Sequence, residues 1–226
     1  MIQNEPVAIP VSESTKVSGV LSVPDARPKD TGVIIAHGAG NDMNQPMLAS
    51  LAEGLANAGY PALRFNFLYR EMGKKVPDGQ AQLYAAWQGA YRFLAEHPVC
   101  RPMHIMAAGK SLGGRIASQM AAEGMLAAEG LIFLGYPLHA PGRKERLQDG
   151  HLYKISRPML FFAGSRDPLC DLHLLRQVLS KLNAPWELEV IEGGDHSFHL
   201  PKSHPMDPTE VYERIVSRTL DWLKMG

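Results

Sequence analysis

Residues 105–115 read IMAAGKSLGGR, and this stretch decides the fold. It joins a short apolar run to a serine, Ser111, with glycine two positions before it and two positions after it. A helical pattern follows from Arg115. A serine at the tip of a sharp turn between a strand and a helix requires small neighbours, because larger side chains would collide with the turn. The stretch therefore predicts a strand, an exposed serine on a tight turn, and a helix.

The same succession of apolar run, glycine- or aspartate-containing turn and helical pattern recurs along the chain. Continuous rather than alternating apolarity is typical of strands that are covered on both faces. The first 24 residues alternate instead and predict an antiparallel hairpin at the sheet edge. Together they predict an α/β fold with a single doubly wound, mostly parallel sheet, helices on both faces, and one domain spanning 1–226. The apolar runs are 33–36, 62–67, 105–108, 131–134, 159–163 and 187–191.

Helices are predicted from apolar residues that recur at three- and four-residue intervals. Such stripes span 83–94, 172–182 and 212–223. A further helix is expected to begin near Pro46, with Asn44 as its N-terminal cap.

Composition narrows the classes of function. The 226 residues are 45% hydrophobic and 20% charged, with 23 Lys plus Arg against 23 Asp plus Glu. A chain without net charge lacks the basic surface typical of partners of nucleic acids or membranes, so neither partner is expected. Cys100 and Cys170 are too far apart in sequence to indicate a disulfide framework or a zinc ligand set, which favours a cytoplasmic location.

Two further polar residues follow predicted strands and are candidates to activate Ser111. Asp167 follows the run 159–163, and His196 lies in a glycine-rich stretch after the run 187–191. A serine hydroxyl needs a base to take its proton and a third group to orient that base. Asp195 is a competing acid, but adjacent side chains rarely face each other at the required angle, so we favour Asp167.

A glycine-rich turn after the run 33–36 is expected to contribute to the same edge of the sheet. Backbone N–H groups at such turns stabilise a developing oxyanion, and we assign Ala39 and Leu112 as the two donors. His37 begins this turn. We interpret it as fixing the loop through backbone hydrogen bonds rather than as a second base.

Substrate contacts are less sharply indicated. Arg64 and Arg70 accompany the run 62–67 and are candidates to bind an anionic group, although an exposed basic loop is the simpler explanation. Tyr69, Tyr136 and Leu138 are candidates for apolar walls. No metal or cofactor is expected, because the closely spaced histidines near His196 lie in a loop without a completing carboxylate. A phosphate-binding loop is excluded, because the strand occupies the position of its first glycine.

These motifs resemble the α/β-hydrolase superfamily. They are the His-Gly turn at 37–38, the elbow GKSLGG at 109–114, GSRDP at 164–168 and GDHSF at 194–198. The stretches 64–71 and 135–139 are similar to those of its small, dienelactone-hydrolase-like branch, which includes testis-expressed and KAT8-complex-subunit-like hydrolases. The resemblance covers approximately residues 15–225.

The resemblance implies a serine hydrolase with Ser111 as nucleophile, Asp167 as acid and His196 as base. It implies a minimal cap, because only residues 137–157 separate two strands where lipases insert a long helical cap. Dienelactone hydrolases proper usually use cysteine, so a small ester or thioester is the expected substrate, cleaved through an acyl-enzyme without a cofactor. A non-catalytic scaffold and a serine peptidase are the alternatives, and the oligomeric state stays open.

Overall fold

The computed structural model describes residues 2–225, which contain one sheet of eight strands. The strands are β1 (Gln3–Pro10), β2 (Lys16–Val23), β3 (Thr31–Ala36), β4 (Ala62–Phe65), β5 (His104–Lys110), β6 (Gly130–Leu134), β7 (Met159–Gly164) and β8 (Trp186–Ile191). Their order in the sheet is β1-β2-β4-β3-β5-β6-β7-β8. β1 pairs antiparallel with β2, β2 pairs antiparallel with β4, and every later pair is parallel. The predicted doubly wound sheet with an antiparallel hairpin at its edge is therefore confirmed.

Helices cover both faces of this sheet. They are α1 (Pro46–Asn57), α2 (Leu68–Glu71), α3 (Gln80–Ala95), α4 (Leu112–Ala122), α5 (Leu172–Leu179) and α6 (Pro208–Met225), with one 3₁₀ turn at Leu152–Lys154. Apolar side chains from α3, α4 and α5 pack on one face, and those from α1 and α6 pack on the other. Successive residues of β3 divide between the two clusters, with Ile34 in the first and Val33 and Ile35 in the second. This alternation of side chains along a strand explains why the strands are apolar throughout.

Several element boundaries differ from the sequence prediction. Gln45, not Asn44, precedes α1, and no side chain caps that helix. The cap is replaced by the proline at the first helical position, which has no N–H to satisfy. The short helix α2 was not predicted, and β4 ends at Phe65, two residues early. The segment between β6 and β7 contains only the 3₁₀ turn, in agreement with a minimal cap.

Both cysteines are buried and free. Burial raises the pKa of the Cys100 thiol and raises that of Cys170 to about 12. Among residues 2–225, no helix has the length and apolarity needed to cross a membrane.

Candidate active site

Ser111 occupies a strained turn between β5 and α4. Its φ is +48° and its ψ is −111°, a region that non-glycine residues rarely adopt. The turn is tight because glycines flank it. A Cβ on Gly109 would lie 2.2 Å from the amide nitrogen of Gly114, and a Cβ on Gly113 would lie 2.7 Å from the carbonyl oxygen of Ala36. Strain of this kind costs about 1–3 kcal/mol and persists only where the surrounding structure enforces it.

Asp167 is held by two loops that are bonded to each other. The backbone N–H of Arg166 donates to the Gly194 carbonyl at 2.8 Å, and the Gly193 N–H donates to the Ser165 hydroxyl at 2.8 Å. These bonds connect the turn after β7 to the turn after β8. The Asp167 side chain is fully buried, and its Oδ1 accepts the Leu169 N–H at 2.7 Å. The carboxylate therefore has a fixed orientation toward the second loop.

His196 connects this carboxylate to the serine. Its Nδ1 lies 2.7 Å from Asp167 Oδ2, and its Nε2 lies 2.8 Å from Ser111 Oγ. Because a carboxylate only accepts hydrogen bonds, Nδ1 carries the proton and Nε2 accepts from the Ser111 hydroxyl. The three residues singled out from the sequence thus form one hydrogen-bonded chain.

Asp195, the competing acid, faces a different set of groups. Its Oδ1 accepts the backbone N–H groups of Ser197 and His199, at 2.7 and 2.9 Å. Burial is the largest single influence and raises the pKa of Asp195, but these two bonds and the attraction to the His199 side chain together outweigh it, so the pKa is lowered. Asp195 therefore shapes the turn that carries His196 and does not touch the imidazole in the way Asp167 does.

A second serine–histidine contact lies elsewhere. Ser118 Oγ is 2.8 Å from His151 Nε2, and Tyr136 Oη is 3.0 Å from the same nitrogen. Ser118 is fully buried within α4, and its hydroxyl donates to the Arg115 carbonyl. This contact fastens the segment between β6 and β7 to α4. A serine enclosed in this way offers no room for a substrate carbonyl.

The loop after β3 lies directly against Ser111. A Cβ on Gly38 would come within 3.4 Å of the Ser111 Cβ. His37 is fully buried at the start of this loop, with Nδ1 2.8 Å from the Gly38 carbonyl and Nε2 accepting the Phe67 N–H at 3.1 Å. The imidazole thus holds the loop through the backbone, as predicted. Among residues 2–225, neither the Ala39 nor the Leu112 N–H has a hydrogen-bond acceptor.

Arg64, expected at the substrate, is placed elsewhere. It lies within β4, is buried, and donates from Nη1 to the Met43 carbonyl at 2.9 Å. The prediction was wrong because the residue belongs to the strand and not to the loop that follows. Arg70 does lie beyond the strand, where it donates to the Lys74 carbonyl at 3.1 Å and approaches Asp42 within 3.8 Å.

The three predicted apolar wall residues, Tyr69, Tyr136 and Leu138, are all buried in the core. The Tyr69 hydroxyl donates to the Gly38 carbonyl at 3.4 Å, and the Tyr136 hydroxyl donates to the Gln148 carbonyl at 2.6 Å. Tyr69 and Tyr136 thus support the loops around the site through these hydrogen bonds. The structure thus places all three in the core, and their role as apolar walls of the substrate site stays a prediction.

Lys110 is a feature that the sequence reasoning missed. It is the last residue of β5, directly before Ser111, and it is only 2% exposed. The available signal was a single charged residue at the end of an otherwise apolar strand. No group of three or more His, Cys, Asp or Glu within residues 2–225 is arranged to hold a metal ion.

A family model of the alpha/beta hydrolase domain matches residues 29–224. The chain belongs to the alpha/beta hydrolase family. This membership agrees with the sheet order, with the elbow at Ser111 and with the resemblance drawn from the motifs.

Solved structures with the same fold include several alpha/beta hydrolases. A dienelactone hydrolase from Anabaena variabilis is 23% identical, with a TM-score of 0.75 and 96% of each chain covered. An esterase from Pyrococcus furiosus is 18% identical, with a TM-score of 0.75 over 100% of this chain and 92% of that one. A serine hydrolase without a lid from Xanthomonas campestris is 17% identical, with a TM-score of 0.73 over 97% and 95%. At these identities the likeness concerns the fold.

Proposed function

We propose that this alpha/beta hydrolase is a serine hydrolase that cleaves a small ester or thioester. The observation that carries the proposal is the unbroken hydrogen-bonded chain from Asp167 through His196 to Ser111, with contacts of 2.7 and 2.8 Å. A serine, a base within hydrogen-bond reach and a group that orients the base are together the machinery for acyl transfer.

The first half of the proposed reaction forms an acyl-enzyme. Ser111 Oγ attacks the substrate carbonyl carbon while His196 Nε2 takes the hydroxyl proton. The carbonyl oxygen becomes an oxyanion, for which the unpaired N–H groups of Ala39 and Leu112 are the proposed donors. The intermediate collapses as His196 gives its proton to the leaving alcohol or thiol, and the acyl group stays on Ser111.

The second half releases the acid. Water attacks the acyl carbon while His196 removes one of its protons, and the same histidine returns that proton to Ser111 Oγ as the ester bond breaks. The Asp167 carboxylate holds Nδ1–H throughout and stabilises the imidazolium that forms transiently. The residues present complete this cycle without a cofactor.

The surroundings of Ser111 bear on the size of the substrate. The segment between β6 and β7 is short and is fastened to α4, so it builds no deep enclosure above the site. An open site favours a small substrate with a short or medium acyl group. Our narrower predictions, of membership in the testis-expressed and complex-subunit-like branch and of a cytoplasmic location, stay predictions, as does the expectation of no nucleic-acid or membrane partner.

The test is covalent labelling by a fluorophosphonate, with the adduct located by mass spectrometry. We expect rapid labelling of the wild type on Ser111 and none in Ser111→Ala. We expect His196→Ala and Asp167→Asn to slow labelling by about a thousandfold or more, because the base is lost in one and wrongly oriented in the other. Ser118→Ala is the matched control and should label within about tenfold of wild type, since its side chain does not touch Ser111.

Two outcomes would overturn the assignment. Failure of the folded wild type to react would favour a non-catalytic scaffold that keeps the hydrolase fold. An adduct on Ser118 would move the site to the other serine–histidine contact. Cleavage of amide substrates alongside esters would extend the reaction to peptides.

A further inference from the structure

Arg115 in α4 is a partly buried cation without a partner. Among residues 2–225, its guanidinium forms no hydrogen bond or ion pair. Its Nε is buried and unpaired, whereas the two Nη atoms are accessible to solvent. The other arginines that are not exposed each bond to a carbonyl or a carboxylate; they are Arg64, Arg70 and Arg218. Charged groups withdrawn from water are normally paired, so Arg115 keeps donors available for an anion that the chain itself does not provide.

The backbone places Arg115 one helical turn after the proposed nucleophile. The Arg115 N–H donates to the Ser111 carbonyl at 3.0 Å, which closes the first turn of α4. One turn of a helix rises by about 5.4 Å. Side chains of a helix lean toward its N-terminus, which is here the end that carries Ser111. A single small substrate is therefore long enough to contact both residues.

The polar side chains beside Arg115 satisfy one another. Burial raises the pKa of Tyr136 and lowers that of His151, and the charge of Arg115 lowers both, so the guanidinium lies near the two rings. The Tyr136 hydroxyl donates to the Gln148 carbonyl, and the Ser118 hydroxyl donates to the Arg115 carbonyl. Because both hydroxyl protons are used, His151 Nε2 carries the proton that bonds to the two oxygens, at 3.0 and 2.8 Å. This nitrogen therefore has no lone pair for a guanidinium.

The carboxylates of this region have other partners. Asp149 and Glu123 both act electrostatically on the same imidazole. Asp149 Oδ2 accepts the Tyr153 hydroxyl at 2.6 Å, and Glu123 Oε1 accepts the Tyr84 hydroxyl at 3.3 Å. Within residues 2–225, neither carboxylate forms an ion pair with Arg115. The neutralising anion must therefore come from outside the chain.

We propose that Arg115 binds an anionic group of the substrate, a carboxylate or a phosphate, while Ser111 attacks the ester or thioester carbonyl. A guanidinium presents parallel N–H donors that match two oxygens of either group. The substrate class is then a small ester or thioester that carries a negative charge. This inference rests on the proposed serine hydrolase function.

The test compares two para-nitrophenyl esters of similar length: the hydrogen adipate, which ends in a carboxylate, and the heptanoate, which ends in an ethyl group. The ratio of their kcat/KM values measures selectivity for the charge and cancels any general loss of activity. We expect this ratio to fall about tenfold or more in Arg115→Met and to recover in part in Arg115→Lys, which keeps the charge but not the planar fork. Arg92→Met removes an exposed arginine from α3 and should keep the wild-type ratio.

Two further comparisons identify the charged group and its place in the substrate. The phosphonate analogue of the adipate ester distinguishes a phosphate from a carboxylate. The pair of para-acetoxybenzoate and para-tolyl acetate places the charge on the leaving group instead of the acyl group. At least one anionic ester should depend on Arg115. A ratio that is unchanged in Arg115→Met for every pair would overturn the inference, and so would a ratio that falls only in Arg70→Met.

A binding measurement separates this inference from the proposed function. The same three anionic esters are titrated by calorimetry into Ser111→Ala and into the double variant Ser111→Ala/Arg115→Met. We expect at least one ester to bind the double variant about tenfold or more weakly. If the wild type does not react with the fluorophosphonate, the proposed function fails, whereas this difference in affinity still decides the role of Arg115. Equal affinities, or no binding to Ser111→Ala, would contradict that role.

Discussion

His37 is an imidazole with both nitrogens committed to the backbone. Nε2 accepts the Phe67 N–H, so Nδ1 carries the proton and donates to the Gly38 carbonyl. Burial is the main reason that its pKa falls from 6.5 to about 4. Protonation would destroy the hydrogen bond from the Phe67 N–H and place a charge in the core. The loop beside Ser111 therefore keeps this conformation only while His37 is neutral.

The lowered pKa of His37 makes the stability of the fold depend on pH. The pKa of His37 is lower in the folded protein than in the unfolded chain, so the unfolded chain binds the proton first. The contribution of neutral His37 to the free energy of unfolding is fully present above about pH 6.5. It is lost as the pH drops toward 4, by about 3 kcal/mol in total. Urea unfolding of wild type and His37→Asn at pH 7 and pH 4.5 measures this loss.

We expect His37→Asn to be less stable than wild type at pH 7 by about 1–3 kcal/mol, because the Phe67 N–H loses its acceptor. It should also lose about 2 kcal/mol less than wild type between the two pH values. His104→Asn removes an exposed histidine that pairs with Glu129 and serves as the control. Equal pH dependence in wild type and His37→Asn would contradict the assignment.

Residue-level prediction succeeded where the chemistry is local. Glycines beside Ser111 and the strand before it are visible in the sequence, and so is the position of His196 in a glycine-rich turn. Whether a side chain is buried depends instead on residues that are distant in the sequence. Arg64 and Tyr136 were placed at the substrate because of their types, whereas their surroundings are set by residues 21 and 12 positions away, at Met43 and Gln148.

At the scale of elements, the elbow depends on close packing of backbone against backbone. In Gly113→Ala the new Cβ would meet the carbonyl oxygens of Ala36 and His37, each at 2.7 Å. Backbone atoms of β3 cannot move aside without disturbing the sheet, so α4 must shift instead. We expect a loss of about 2 kcal/mol or more in stability and at least about tenfold slower fluorophosphonate labelling.

Gly150→Ala is the matched control for this change. Gly150 is exposed, and nothing lies within 4 Å of its Cβ position. Its stability should stay within about 0.5 kcal/mol of wild type. Normal labelling by Gly113→Ala would show that the elbow tolerates a wider turn than the structure indicates.

Element types were readable from the sequence, but their ends were less so. The continuous apolar runs identified the parallel strands because both faces of the sheet are covered. Helix α2 has only four residues and therefore no apolar period to detect. Helix α1 begins at Pro46, as predicted, but Gln45 rather than Asn44 precedes it, because a proline at the first turn makes a side-chain cap unnecessary.

At the scale of the whole molecule, α6 packs on α1 and covers one face of the sheet. The contact is close at Gly54, where a Cβ would lie 2.4 Å from Val216 Cγ1. Gly54→Ala should therefore lower stability by about 1–2 kcal/mol, even though alanine favours helix formation. Unfolding by urea measures the change.

A double-mutant cycle tests whether the contact with Val216 causes the loss of stability in Gly54→Ala. Val216→Ala alone loses contacts, but it also makes room for the new methyl group. The double variant Gly54→Ala/Val216→Ala should be more stable than the sum of the two single changes by about 1 kcal/mol or more. Additive losses would mean that the contact between the two helices is looser than the structure shows.

The sheet order follows from the sequence in outline only. Alternation of apolar runs and helical stripes indicates a doubly wound sheet, but nothing local specifies that β3 lies between β4 and β5. That order places the turns after β3, β5, β7 and β8 along one edge. The joint geometry of Ser111, Asp167 and His196 is therefore a property of the assembled molecule.

The two enclosed thiols have a practical consequence for spectroscopy. Since Cys100 and Cys170 are buried and held in their protonated form, the folded chain offers maleimides and other thiol reagents almost nothing to react with. A single cysteine introduced at an exposed position, such as Gln148 in the segment over α4, would carry a fluorophore or spin label alone. Distances and motions of that segment become measurable without first removing the native cysteines.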